Sequence, residues 1–158
     1  MGSRDAEIEA AVEVGTDELL LRVSRAFAGQ ERWADQLRAV AYEMLWFLRE
    51  DEGRARLMVI DVLRSTPRAI EIREHGMEAL TELIDLGRRQ LEDPDSLPRS
   101  IAAVTAGTIY NRLHVGVEAG VETLTPDLVR ELMFTAVLPY LGTEAALAEL
   151  EAPAMGPA

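Results

Sequence analysis

The chain contains no cysteine, so the residues best placed to do chemistry are its two histidines, His75 and His114. Each has a glutamate four positions away, Glu71 before the first and Glu118 after the second, a spacing that puts both side chains on one helix face. A carboxylate–imidazole pair could begin a metal site. Carboxylate-bridged sites in helical bundles take Glu-x-x-His on two helices plus further glutamates, and the residue three before His75 is Ile72. The two pairs therefore read as contacts on solvated faces, and no metal site is expected. Ser24, Ser65, Ser96 and Ser100 fall near turns or on polar faces, without the G-x-S-x-G elbow of a nucleophilic serine. Neither a dinucleotide fingerprint nor a phosphate-cradling loop occurs. With no convergent catalytic set, the chain is read as a protein without enzymatic activity or cofactor.

Recognition of a small molecule suits the remaining residues better. Pockets in helical bundles are mostly apolar, with a few polar groups to orient the ligand. Tyr42 and Trp46 share a helix face that is not the main core stripe. Met58 lies on a short segment apolar on every side, and Met77 begins an apolar stripe of the following helix. Tyr110 and His114, four apart, stand at the edge of another stripe. Methionine adapts to irregular shapes, while tyrosine and histidine orient a guest. Tyr42, Trp46, Met58, Met77, Tyr110 and His114 form the expected pocket wall; the alternative makes the methionines core filler and Trp46 an interface residue.

The elements that must position these residues are all helical. Glycine and proline are sparse, and apolar residues between them recur with helical period. Six main helices are expected, over residues 16–28, 31–51, 54–64, 68–91, 98–119 and 126–141. A short helix should follow over TEAALAEL. Thr125-Pro126 pairs a capping threonine with proline at the first helical position. Thr16 has the same look of a cap, with Asp17 and Glu18 suited to the positive end of a helix dipole. Residues 1–13 are expected to form an acidic lead-in, 14–150 the helical domain and 151–158 a frayed tail. The segment 54–64, apolar all round through Leu57, Met58, Val59, Ile60, Val62 and Leu63, should lie at the centre.

The last two long helices carry more apolar surface than one-sided burial uses. Val104, Gly107, Asn111 and Val115 lie away from the stripe of the first. Phe134, Leu138 and Leu141 lie away from that of the second. A two-fold homodimer would cover these second faces; the alternative is a final short helix folding back over them. Gly107 would permit close approach, and Asn111 either pairs across the axis or meets solvent at the rim. A length of 158 residues supports a single domain with its own core. With 28 acids against 16 bases, all arginine, the net charge is −12. A nucleic-acid surface needs clustered bases, so direct DNA or RNA binding by these residues is not expected. No apolar run of about 18 residues suggests a membrane span, and a cytoplasmic protein is expected.

Three stretches, VGTDELLLRV, AVAYEMLWFLREDEGRARLMVIDVL and ELMFTAVLPYLG, resemble the C-terminal domain of TetR-family bacterial transcriptional regulators. The first looks like the junction after the recognition helix, the second like the fifth and sixth helices, the third like the closing helix that often ends in PYLG. The resemblance implies an effector-sensing, dimerising body, binding a small hydrophobic molecule and relaying this through the connecting helix to a helix-turn-helix head. Only thirteen residues, MGSRDAEIEAAVE, precede the junction, and their balance is acidic. A fragment of a full repressor or a headless relative would both fit, and the look of the junction favours the fragment. Leu19, Leu20, Val23 and Phe27 would then couple the pocket to the DNA reader.

Overall fold

Two threonines begin helices by the same local chemistry, Thr125 where expected and Thr66 in addition. The Thr66 hydroxyl accepts from the Ala69 amide at 3.2 Å and is followed by Pro67, and Thr125 accepts from Leu128 at 3.4 Å ahead of Pro126. In each case proline fills a position whose amide has no helical partner. The computed structural model, which describes residues 2–157, consists of six α-helices with no strand among the described residues. They are α1 (Ser3–Ala28), α2 (Trp33–Glu50), α3 (Glu52–Val59), α4 (Pro67–Asp85), α5 (Ser100–Ala119) and α6 (Pro126–Leu150). None is long and apolar enough to cross a membrane. α2 runs between α1 and α6, α4 lies against both α1 and α5, and the short α3 sits where α1, α2 and α5 meet.

The start of the first helix differs from expectation. Thr16 does not cap a helix: it is buried in the middle of α1, which begins thirteen residues earlier at Ser3. Ile8 and Val12 form an i,i+4 apolar pair that packs on Val62, Ala69 and Ile72, so the acidic lead-in is held in helix from one side. Gly15, which looks like punctuation in the sequence, is instead a contact point. A Cβ there would lie 2.6 Å from the Met58 sulfur.

The segment 54–64 is neither one helix nor buried on every side. α3 ends at Val59, a 3-10 turn over Asp61–Arg64 follows, and Leu63 is left 41% exposed. Likewise the helix expected to reach 91 ends at Asp85 and continues as a 3-10 turn, Leu86–Gln90. Within that turn the nearly buried Arg88 donates to the carbonyls of Pro94 at 2.6 Å and Leu97 at 2.8 Å and pairs with Asp85, holding the EDPDSLP loop in place.

α6 breaks where expected, at Gly142, whose φ of 86° is open to glycine at little cost. The residues beyond it turn back onto α2 through a bidentate pair between Arg38 and the buried Glu149, at 2.6 and 2.8 Å. The tail is not frayed. Trp46 donates its indole N–H to the Met155 carbonyl at 2.9 Å, and Arg130 donates to Ala152 at 3.0 Å. These contacts use the α2 side of the bundle. The outer faces of α5 and α6 stay open: Val104 is 65% exposed, Gly107, Asn111, Val115, Leu138 and Leu141 are exposed, and Phe134 is half-buried.

Candidate functional site

Packing along α2 is incomplete beyond its midpoint, where Val40, Met44 and Leu48 face a partly open cavity of about 120 Å³ lined also by α1, α3, α4 and α5. Its roof is α1, through Thr16, Leu19, Leu20 and Val23. Met58 and Val59 close one side, and Met77 and Leu80 of α4 the other. A smaller void of about 30 Å³ lies towards α6 and shares Val40, Met44, Leu80 and Leu113 with the first. Apolar cavities of about 150 Å³ stay dry and admit a benzene-sized guest. Three of the walls are methionine, whose unbranched chain can reposition at low cost, so the larger cavity can widen towards the smaller one.

The polar groups of this cavity gather at one end. Tyr110 donates its hydroxyl hydrogen to the Val59 carbonyl, the last of α3, and so ties α5 to the point where α3 gives way to the 3-10 turn. The Arg73 guanidinium lies 4.1 Å over the Tyr110 ring, and Thr16 is the remaining polar side chain of the wall. The wall is otherwise hydrocarbon, thioether and the backbone of Gly76. The site has no nucleophile–base pair. No group of three or more histidine and carboxylate side chains converges on a metal position among the described residues.

Met58, Met77 and Tyr110 of the expected pocket wall line this cavity together. Tyr42, Trp46 and His114 do not. Tyr42 is buried on the far side of α2, near Arg38 and Arg130; Trp46 is engaged by the tail; His114 lies beside Tyr110, with ring centroids 6.4 Å apart, one turn beyond the cavity. Glu71 and His75 are exposed on an open groove with Glu13 and Asp17. Of the residues thought to couple the first helix to a pocket, Leu19, Leu20 and Val23 are in the wall and Phe27 is not. Arg73 was the residue least visible beforehand. Its signal is a cation four positions after Ala69 and four before Met77, inside a stripe that is otherwise apolar.

The buried tyrosines outside the cavity make the protein sensitive to alkali. Burial raises the pKa of Tyr42, whose hydroxyl has no partner among the described residues, against the opposing pull of Arg130 and Arg38. Burial, reinforced by the nearby Asp85 charge, pushes Tyr140 up to about 12. A phenol whose folded pKa is raised favours the folded state fully below its unfolded value of about 10, and this contribution disappears as pH rises through the folded value. For Tyr140 that corresponds to about 3 kcal/mol lost between pH ~10 and ~12. Tyrosinate absorbance followed together with circular dichroism should show Tyr42 and Tyr140 ionising late, together with loss of structure. Normal ionisation of Tyr42 and Tyr140 in a still-folded protein would contradict this picture.

No family model, curated protein or solved structure matches the chain. The functional reading therefore rests on the cavity and on the faces around it.

Proposed function

We propose that this chain is the effector-sensing and dimerising domain of a TetR-like transcriptional regulator. It takes a small, largely apolar molecule in the central cavity and relays occupancy through α1 to a DNA-reading head outside these residues. The observation that carries the reading is the position of α1. Thr16, Leu19, Leu20 and Val23 form the roof of the cavity, so a guest that fills it presses on the very helix that would carry the signal. A ligand can shift a two-state arrangement only through a difference in contacts between the states, and a movable roof provides one. The open faces of α5 and α6 support a two-fold dimer through the same two helices. With Val104 at 65% and Val115 at 52% exposure, they keep apolar surface in water that a second copy would cover.

Thermal melts against a panel of neutral apolar compounds test the sensor reading. A molecule that binds only the folded state raises the melting temperature by mass action, worth about 2.7 kcal/mol at a hundredfold excess over Kd. Leu80→Trp, which puts an indole into the space shared by the two voids, should remove that rise. A panel that shifts nothing would defeat the sensor reading. In light scattering the chain should have the mass of a dimer, and Val104→Arg with Leu138→Arg should halve it while the helical signal persists. A monomer at micromolar concentration would defeat the dimer half.

A further inference from the structure

Arginine in this acid-rich chain is matched to carboxylate almost wherever it is even partly buried. Arg22, Arg38, Arg54, Arg88 and Arg130 each hold an aspartate or glutamate within 3.4 Å. Arg73 is also partly buried, yet among the described residues it has neither an ion pair nor a hydrogen bond, and its Nε is enclosed without a partner. The acids of its own helix do not supply one. Glu71, Glu74 and Glu78 face the outer groove with His75, Glu13, Asp17 and Arg68, and Glu74 and Glu78 also border an open hollow beside α5. The guanidinium rests instead on the Tyr110 ring, at the one polar end of an otherwise apolar cavity. Cation–π contact offsets part of the desolvation of such a group but leaves its donors free.

Building on the sensor reading above, we propose that the cavity takes an amphiphilic carboxylate. Its anionic head is held by Arg73, and its alkyl chain lies among Met44, Leu80 and Leu83. A guanidinium presents a planar fork of donors that matches a carboxylate, and burial makes such a pair shorter and stronger than a neutral one. The net charge of −12 repels anions from the molecule as a whole, so preference for an anionic guest has to come from a local cation, and among the described residues Arg73 is the only charged side chain in the wall. The methionines of the wall allow the chain of the guest to extend from the larger void into the smaller one.

Isothermal titration of the full chain at neutral pH separates this proposal from the reading on which it rests. The probes are decanoate and decanol, matched in chain length and kept below micelle-forming concentration. Decanoate should bind about tenfold more tightly than decanol or better, the worth of a charge-assisted contact. Arg73→Gln should abolish that difference, and Arg73→Lys should keep part of it. Equal affinity of the two probes for the unaltered chain would overturn the anion proposal while leaving the apolar sensor standing. A decanoate preference that survives Arg73→Gln would overturn Arg73 as its reader. If neither probe binds, the proposal falls with the cavity reading beneath it. The comparison of probes on the unaltered chain needs no variant, so a poorly folding Arg73→Gln would not shield the proposal.

Discussion

Phe47→Ala is expected to lower the unfolding free energy by about 4 kcal/mol, in the range for emptying a fully buried aromatic site. Phe47 has no exposed surface. Two guanidinium groups lie over its ring, Arg54 at 3.8 Å and Arg22 at 5.2 Å from the ring centre. Those arginines are fixed in turn. Arg22 bonds Glu43 at 2.6 Å and Glu50 at 2.7 Å, and Arg54 donates to the Phe47 carbonyl at 2.9 Å. Removing the ring therefore leaves a void and takes the aromatic face from two cations that already have their partners. Phe47→Leu keeps most of the volume and should cost only about 1.5 kcal/mol. Urea unfolding measures both, and at 2–4 °C per kcal/mol for a chain of this size the alanine variant should melt roughly 8–16 °C lower. A loss below that of the leucine variant would mean that the joint of α1, α2 and α3 collapses around the gap, and that the contact of the ring with the two arginines is not what holds it.

That joint also marks the limit of what the sequence discloses. The helical class is written in the spacing of apolar residues, and the Thr66-Pro67 and Thr125-Pro126 starts are local chemistry needing no knowledge of neighbours. Gly142 is legible for the same reason, since its break lies in its own backbone. Gly15 is not. In sequence it looks like the end of something, but its absent side chain is explained by a methionine more than forty residues away, and no local rule reaches that far. The tail is illegible on similar grounds, because its partners are the indole of Trp46 and the guanidinium of Arg130. Within the candidate site, Met58 and Met77 could be named because an apolar face is a periodic signal. Which of two faces looks into a void is decided by packing, and so Tyr42 lies on the far side of α2. Arg73 breaks its stripe visibly, but a cation in an apolar stripe usually reaches solvent past its own hydrocarbon stem. Only the missing carboxylate around it distinguishes this one.

Gly87→Ala should cost about 3 kcal/mol, and the sign of the effect is the informative part. At a helical position with negative φ, glycine to alanine ordinarily stabilises by roughly 0.4–1 kcal/mol through the unfolded chain. Gly107, mid-helix in α5 with nothing within 4 Å of an added Cβ, is the internal control and should show that gain in a protein held monomeric. At Gly87 the added methyl would lie 2.5 Å from Trp33 Cζ2 and 2.8 Å from Tyr140 Cγ. Neither ring can step aside. Trp33 is fixed by its N–H to the Leu83 carbonyl at 3.0 Å, and the two rings meet edge to face at 5.2 Å. The backbone of the Leu86–Gln90 turn must move instead, which is the costly form of overpacking. Calorimetric melts of the two alanine variants should therefore move in opposite directions, and a stabilised Gly87→Ala would show that this corner is loose.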